Sequence, residues 1–251
     1  MAHTKGLKIT AAIAAVILAG VAAWAASSGK KPSESQVAEA TQSAPADGKT
    51  AAAEPASTPE SAAQLADIVL GDPAAPLEVI EYASMTCGAC AHFHTSVVKD
   101  FKTDYVNTGK ARYILRHFVA NGADIAASMI ARCGGGDDPQ RYFAYIDMFL
   151  SRQPSWIAGW QAMGQPRADA TLADLAVEAK MDLFIRPTGM ARNKMQACLA
   201  DDQLQAGLLH MRTVGVQQYG VDRTPTIFIN GKRYNGPLEY APFEEALKKA
   251  L

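Results

Sequence analysis

Cys87-Gly88-Ala89-Cys90 constrains this chain more than any other segment, because it stands where a strand pattern gives way to a helix pattern. Before it, Leu77-Glu78-Val79-Ile80-Glu81-Tyr82-Ala83 is β-prone and roughly alternating. After it, Phe93, Val97, Val98 and Phe101 recur at helical spacing, which predicts a helix to about Tyr105. The first turn of a helix has unpaired backbone N–H groups and about half a positive charge. A thiolate placed there is stabilised, so its pKa falls from about 8.5 toward neutrality or below. Two cysteines three apart on that turn can also close a disulfide with each other. The segment is built for thiol–disulfide exchange.

The chain has 251 residues with 24 basic and 25 acidic side chains, so no bulk charge points to nucleic acid. Lys5 and Lys8 precede an uncharged run from Ile9 to Ala26, with Ala23-Trp24-Ala25 as a small-x-small signal. Residues 1–26 therefore read as a cleaved signal peptide or as an uncleaved membrane anchor over 9–26. Either reading sends the remainder out of the cytoplasm, and the expected location is the periplasm. Residues 27–62 are low-complexity, with Val37 the single large aliphatic residue and no aromatic. Such a segment cannot bury enough apolar surface to offset ordering entropy, and reads as a disordered linker. The folded part is expected over 63–251, and all four cysteines lie in it. An even count in an exported chain suits disulfides.

Within that part a second strand is expected over Arg112–Phe118. Helices follow at Asp124–Cys133, Gln140–Ser151, Leu172–Lys180, Thr188–Leu199 and Leu204–Tyr219. Thr226–Ile229, the dipeptide Asn230-Gly231 and Lys232–Tyr234 form a hairpin signal with a two-residue turn. Ala241–Leu251 closes the chain as a helix. The order predicts an α/β fold: a small mixed sheet flanked by helices, with an all-helical insert over about 122–205.

Three local patterns together resemble the DsbA-type thiol:disulfide oxidoreductases, a thioredoxin-like fold with an inserted helical subdomain. They are Tyr82 to Cys90, a strand running into a Cys-x-x-Cys helix; Glu81, six residues before the first cysteine; and Gly220 to Gly231, which is similar to that family's cis-proline loop and hairpin. The resemblance implies that Cys87 forms the mixed disulfide with substrate and Cys90 resolves it. It implies Glu81 as proton acceptor for Cys90, and a cis Thr224-Pro225 loop that pairs with an extended substrate. It further implies a monomer needing no metal or organic cofactor. Its substrates would be reduced, unfolded exported proteins, and a DsbB-like quinone-linked membrane oxidase would re-oxidise it. The chain departs from the best-studied relatives in carrying Gly-Ala, rather than Pro-His, between the cysteines, so thiolate stabilisation rests more on the helix terminus and backbone donors. Thr224 is similar to the residue found before the proline in many disulfide isomerases, which keeps isomerase or reductase activity open.

Other residues carry weaker signals. Alternation alone would set Glu81 on an exposed face. Cys133 and Cys198 are expected to form a structural disulfide, closing a loop of about 65 residues worth ~4 kcal/mol in the chain-entropy model. His92 and His94 are expected to serve packing or the surface, since helical spacing turns them apart. Met85 is expected to line an apolar groove for unfolded substrates. The alternative from a different functional class is a tethered, non-redox chaperone or metal-binding module.

Overall fold

A computed structural model of the protein describes residues 64–165 and 167–251. The export segment expected over 1–26 and the linker expected over 27–62 lie outside the described residues. Among the described residues no helix is long and apolar enough to cross a membrane.

Five strands form one mixed sheet in the order β1-β3-β2-β4-β5. They are β1 Val69–Leu70, β2 Leu77–Ala83, β3 Ala111–His117, β4 Thr226–Ile229 and β5 Lys232–Tyr234. β2 and β3 are parallel, with Leu77 opposite Ala111 and Ala83 opposite His117; the other pairings are antiparallel. A parallel pair requires a crossover. Here it is one continuous helix over residues 88–106, containing α1 (Gly88–Phe93) and α2 (Lys99–Phe101), with wider π turns at His94–Val98 and Lys102–Val106. The apolar residues that marked this helix in the sequence, Phe93, Val97, Val98 and Phe101, are all buried. Phe243 of the C-terminal helix α10 (Tyr240–Ala250) meets Phe93 and Phe101 edge-on at 5.5 and 5.7 Å. Such pairs contribute ~0.5–1.5 kcal/mol each beyond the area they bury.

β2 lies between β3 and β4, so both its edges are paired, and apolar clusters pack on both its faces. Leu77, Val79 and Ala83 belong to the main core, while Ile80 and Tyr82 pack in a second cluster with Ile114, Val221 and Phe228 on the opposite face. Glu81 shares the main-core face and is fully buried. The exposed face suggested for it by alternation is therefore wrong: the side of the sheet that carries Glu81 is packed against the core, so its carboxyl does not reach water. The hairpin joining β4 to β5 turns on Asn230 and Gly231, with φ of 47° and 75°. That is the pair of left-handed residues a type I′ turn demands.

Between β3 and β4 the chain is helical: α3 (Gly122–Gly135), α4 (Pro139–Ser151), α5 (Gln153–Ala162), α6 (Leu172–Glu178), α7 (Met181–Phe184), α8 (Arg192–Leu199) and α9 (Asp202–Tyr219). Local chemistry starts several of them. Asn121 caps α3, Asp138 caps α4 ahead of Pro139, and Thr171 with Asp174 forms a capping box on α6. The helical stretch expected over about 122–205 begins at Gly122, and its last helix runs on to Tyr219 before the chain re-enters the sheet at β4. Cys133 of α3 and Cys198 of α8 are joined by a disulfide, Cα to Cα 5.8 Å. α3 and α4 touch so closely that a Cβ on Gly135 would stand 2.4 Å from the Cα of Tyr142.

Candidate active site

Three chain segments meet at Cys87: the end of β2, the start of α1 and the loop before β4. Cys87 is the N-cap of α1, and its Sγ accepts from the N–H of Cys90 at 3.4 Å. Its other neighbour is the carbonyl oxygen of Thr224, 3.3 Å from Sγ. The Thr224–Pro225 bond is cis. Cys87 is half-buried and Cys90 fully buried, and both carry free thiols.

The two sulfurs are driven in opposite directions. Cys87 is lowered from 9.0 to about 5, first by the hydrogen bond from the Cys90 thiol, against the cost of burial, and further by the Thr224 side chain and the N–H groups of Cys90 and Ala89. Bonds that favour the charged form lower a pKa. The Cys90 thiol is pushed far up by burial, by the bond it gives Cys87 and by the negative charges of Glu81 and Cys87. Cys90 therefore holds its proton until a nearby base takes it.

Glu81 is a buried acid whose charge acts on Cys90. Burial raises its carboxyl from 4.5 to about 7, partly offset by a hydrogen bond from Tyr113; the charge on Cys87 raises it further and Lys102 lowers it. The Tyr113 hydroxyl donates to Oε2 in a short contact, while Oε1 has no hydrogen-bond partner. A buried carboxylate with a free oxygen and a pKa near neutrality can both take and return a proton at physiological pH.

Two residues that the sequence pattern did not mark hold the loop ahead of Cys87. Gln153, at the start of α5, donates from Nε2 to the carbonyls of Met85 at 2.8 Å and Cys87 at 3.0 Å. Asp124, in the first turn of α3, accepts from the Met85 N–H at 2.8 Å. Neither had a local signal: Gln153-Pro154 reads as a loop, and Asp124 reads as an ordinary first-turn acid.

Met85 itself is fully buried, so the expectation that it lines a substrate groove is wrong. The contacts that fix its backbone also turn its side chain into the core. His94 is buried and reaches Asp147, with Nε2 2.7 Å from Oδ1, while His92 is exposed; the two diverge as helical spacing requires. Asp147 also accepts from Lys102 at 2.6 Å.

A family model described as Thioredoxin matches residues 63–249. A Rickettsia bellii protein with the provisional name protein-disulfide oxidoreductase is 28% identical over 165 residues, 66% of this chain and 57% of that relative's length. The chain thus spans less than two thirds of this relative. The solved structure of a protein-disulfide isomerase from Novosphingobium aromaticivorans is 27% identical with a TM-score of 0.65, covering 74% of this chain and 99% of that one. The structure of alpha-DsbA1 from Wolbachia pipientis is 25% identical with a TM-score of 0.61, covering 77% of this chain and 96% of that one.

Proposed function

The chain belongs to the thioredoxin family as a DsbA-like member, and from that premise we propose that it is a thiol:disulfide oxidoreductase that introduces disulfides into exported proteins through Cys87 and Cys90. The observation that carries this reading is the opposed state of the two sulfurs: Cys87 low and half-exposed, Cys90 high and buried, with Glu81 near neutrality behind them. A substrate thiolate attacks Sγ of Cys87 in the Cys87–Cys90 disulfide, and Cys90 departs and is protonated by Glu81. A second substrate thiolate then attacks the substrate sulfur of the mixed disulfide. Cys87 leaves as a thiolate, the substrate sulfurs are joined, and the enzyme has taken up two electrons. A low thiol pKa makes Cys87 a good leaving group and stabilises the reduced enzyme, which favours the oxidising direction. Re-oxidation by a DsbB-like quinone-linked membrane oxidase would close the cycle, with Glu81 taking the proton from Cys90. The reading places the enzyme in the periplasm, as a monomer acting on reduced, unfolded proteins, tethered there if residues 9–26 remain as an anchor.

A second reading, disulfide isomerase, is favoured by the likeness to the Novosphingobium protein-disulfide isomerase. Equilibration of the purified protein against glutathione buffers separates the two. A strongly oxidising potential, with oxidation of a reduced model protein lost in Cys87→Ser, supports the oxidase. A potential near that of a cytosolic reductant refutes it. Absence of any exchange refutes both readings and favours the non-redox module.

A further inference from the structure

Asp124 is a buried acid that the exchange chemistry above does not use. It sits in the helical insert, yet its bonds go to the active-site loop. Oδ1 accepts from the Met85 N–H at 2.8 Å and Oδ2 from the Ala120 N–H at 2.8 Å. Asn121 braces the arrangement: its Oδ1 accepts from the Asp124 N–H at 3.0 Å, and its Nδ2 donates to Thr86 Oγ1 at 3.1 Å. Thr86 Oγ1 in turn lies 3.1 Å from Ser84 Oγ. Asp124 thus holds Met85 directly and, with Asn121, the short chain of bonds through Thr86 and Ser84 that leads into Cys87.

A neutral acceptor such as Asn or Ser could hold one N–H at lower cost. Burying a carboxylate without a cation is expensive, and among the described residues Asp124 forms no ion pair. We propose that Asp124 is a positioning residue that also sets the redox poise of the Cys87–Cys90 pair, fixing the loop before Cys87 and opposing negative charge on its sulfur. The assignment rests on the oxidoreductase reading and deepens it. When the enzyme disulfide takes two electrons from a substrate dithiol, two substrate protons are released. One goes to Cys90. Cys87 remains a thiolate, and the second proton goes partly to Asp124 and otherwise to solvent. In agreement, burial chiefly raises the Asp124 carboxyl from 3.8 to about 6, and the charge on Cys87 adds to that rise. Around it stand the Ser84 hydroxyl, the N–H groups of Ala120 and Met85, and Cys87, of which Cys87 is the group that ionises.

The test compares Asp124→Asn with Gln153→Ala in the full-length protein. Asp124→Asn removes the charge; Gln153→Ala loosens the same loop and changes no charge. Cys87 ionisation is followed by thiolate absorbance, and redox poise by equilibration with glutathione. Asp124→Asn is expected to lower the Cys87 midpoint and shift the equilibrium toward the reduced enzyme by roughly three- to tenfold, the effect of relieving half to one pK unit of repulsion. Gln153→Ala is expected not to shift either in that direction. No shift in Asp124→Asn, or an equal shift in both variants, overturns the proposal. If Asp124→Asn does not fold, the wild type provides the answer: the side-chain carboxyl of Asp124, followed by carbon-13 NMR, must titrate at a higher pH in the reduced than in the oxidised protein. Equal midpoints overturn the proposal. A wild type that fails to exchange with glutathione refutes the functional reading and this assignment with it; a wild type that exchanges, with an unshifted Asp124→Asn, refutes this assignment alone.

Discussion

Reducing Cys87–Cys90 should stabilise the protein at neutral pH and lose that effect in acid. The Cys87 thiol lies at about 5 in the fold against 9.0 for an ordinary thiol. Because the folded value is depressed, the stabilisation is present in full above about pH 9 and is lost as pH falls through about 5. At pH 7 two pK units of the difference are realised, about 2.7 kcal/mol. Cys87 is half-buried, and solvent screening reduces this to roughly 1–2 kcal/mol. For a two-electron couple that corresponds to about 20–40 mV of oxidising potential. Burial holds Glu81 and Asp124 high in both redox states and largely cancels in the comparison; only the part caused by the Cys87 charge works against the gain. The assay is urea unfolding of the oxidised and reduced forms at pH 7 and pH 4.5, with the Cys133–Cys198 bond kept intact and verified by mass after alkylation. The reduced form should exceed the oxidised by that margin more at pH 7 than at pH 4.5. Cys87→Ser should show no such narrowing between the two pH values. A gap that is independent of pH, or that grows in acid, would refute the argument that the Cys90 thiol and the N–H groups of the first turn stabilise a thiolate here.

Glu81→Gln should slow the steps that move a proton on or off Cys90 roughly 10²-fold, read by stopped-flow re-oxidation of the reduced enzyme. The same variant should be more stable than wild type at pH 8, by up to roughly 3 kcal/mol, and equal to it at pH 4. The raised carboxyl contributes stability below 4.5 that is lost as pH rises through about 7. Replacing Cys133 and Cys198 together by serine should cost ~4 kcal/mol in denaturant unfolding, because the loop they close spans 65 residues, while the glutathione equilibrium of Cys87–Cys90 stays unchanged. Gly135→Ala should lower stability by ~1–3 kcal/mol, since its Cβ would meet the backbone of Tyr142 at 2.4 Å, and calorimetry would show it.

The sheet was legible because its signals are local. Asn-Gly after the β-branched and aromatic run Thr226–Ile229 specifies a hairpin, and the helical spacing of Phe93, Val97, Val98 and Phe101 marks the buried face of the crossover. β1 escaped because two residues are too few to show a period, and α5 and α7 because Pro154 and a four-residue length look like loop. The position of the two cysteines at the start of a helix could be read from spacing alone. What spacing could not supply was burial. Glu81 looks half-exposed until the face of β2 that carries it is known to pack on the core, and Asp124 and Gln153 look like surface residues until the insert folds back onto the loop ahead of Cys87.

The helical insert therefore matters to the chemistry as well as to the core. A thioredoxin-like sheet with a Cys-x-x-Cys helix already provides the Cys90 thiol and the first-turn N–H groups that lower Cys87. It does not by itself fix the three residues before the cysteine, and the direction of the Cys87 Sγ toward Thr224 depends on them. In this chain both edges of that loop are held from the insert: Asp124 takes the Met85 N–H, and Gln153 binds the Met85 and Cys87 carbonyls. α3 and α5, which carry these two residues, are braced separately, α3 by the Cys133–Cys198 bridge and α5 by the close approach of Gly159 to the carbonyl of Ala179. With Gly-Ala between the cysteines there is no imidazolium to stabilise the thiolate from within the motif. Its stabilisation then rests on hydrogen bonds, and hydrogen bonds weaken steeply as they lengthen or bend. Rigid placement of the loop is thus a condition for the low Cys87 pKa, and the insert supplies it.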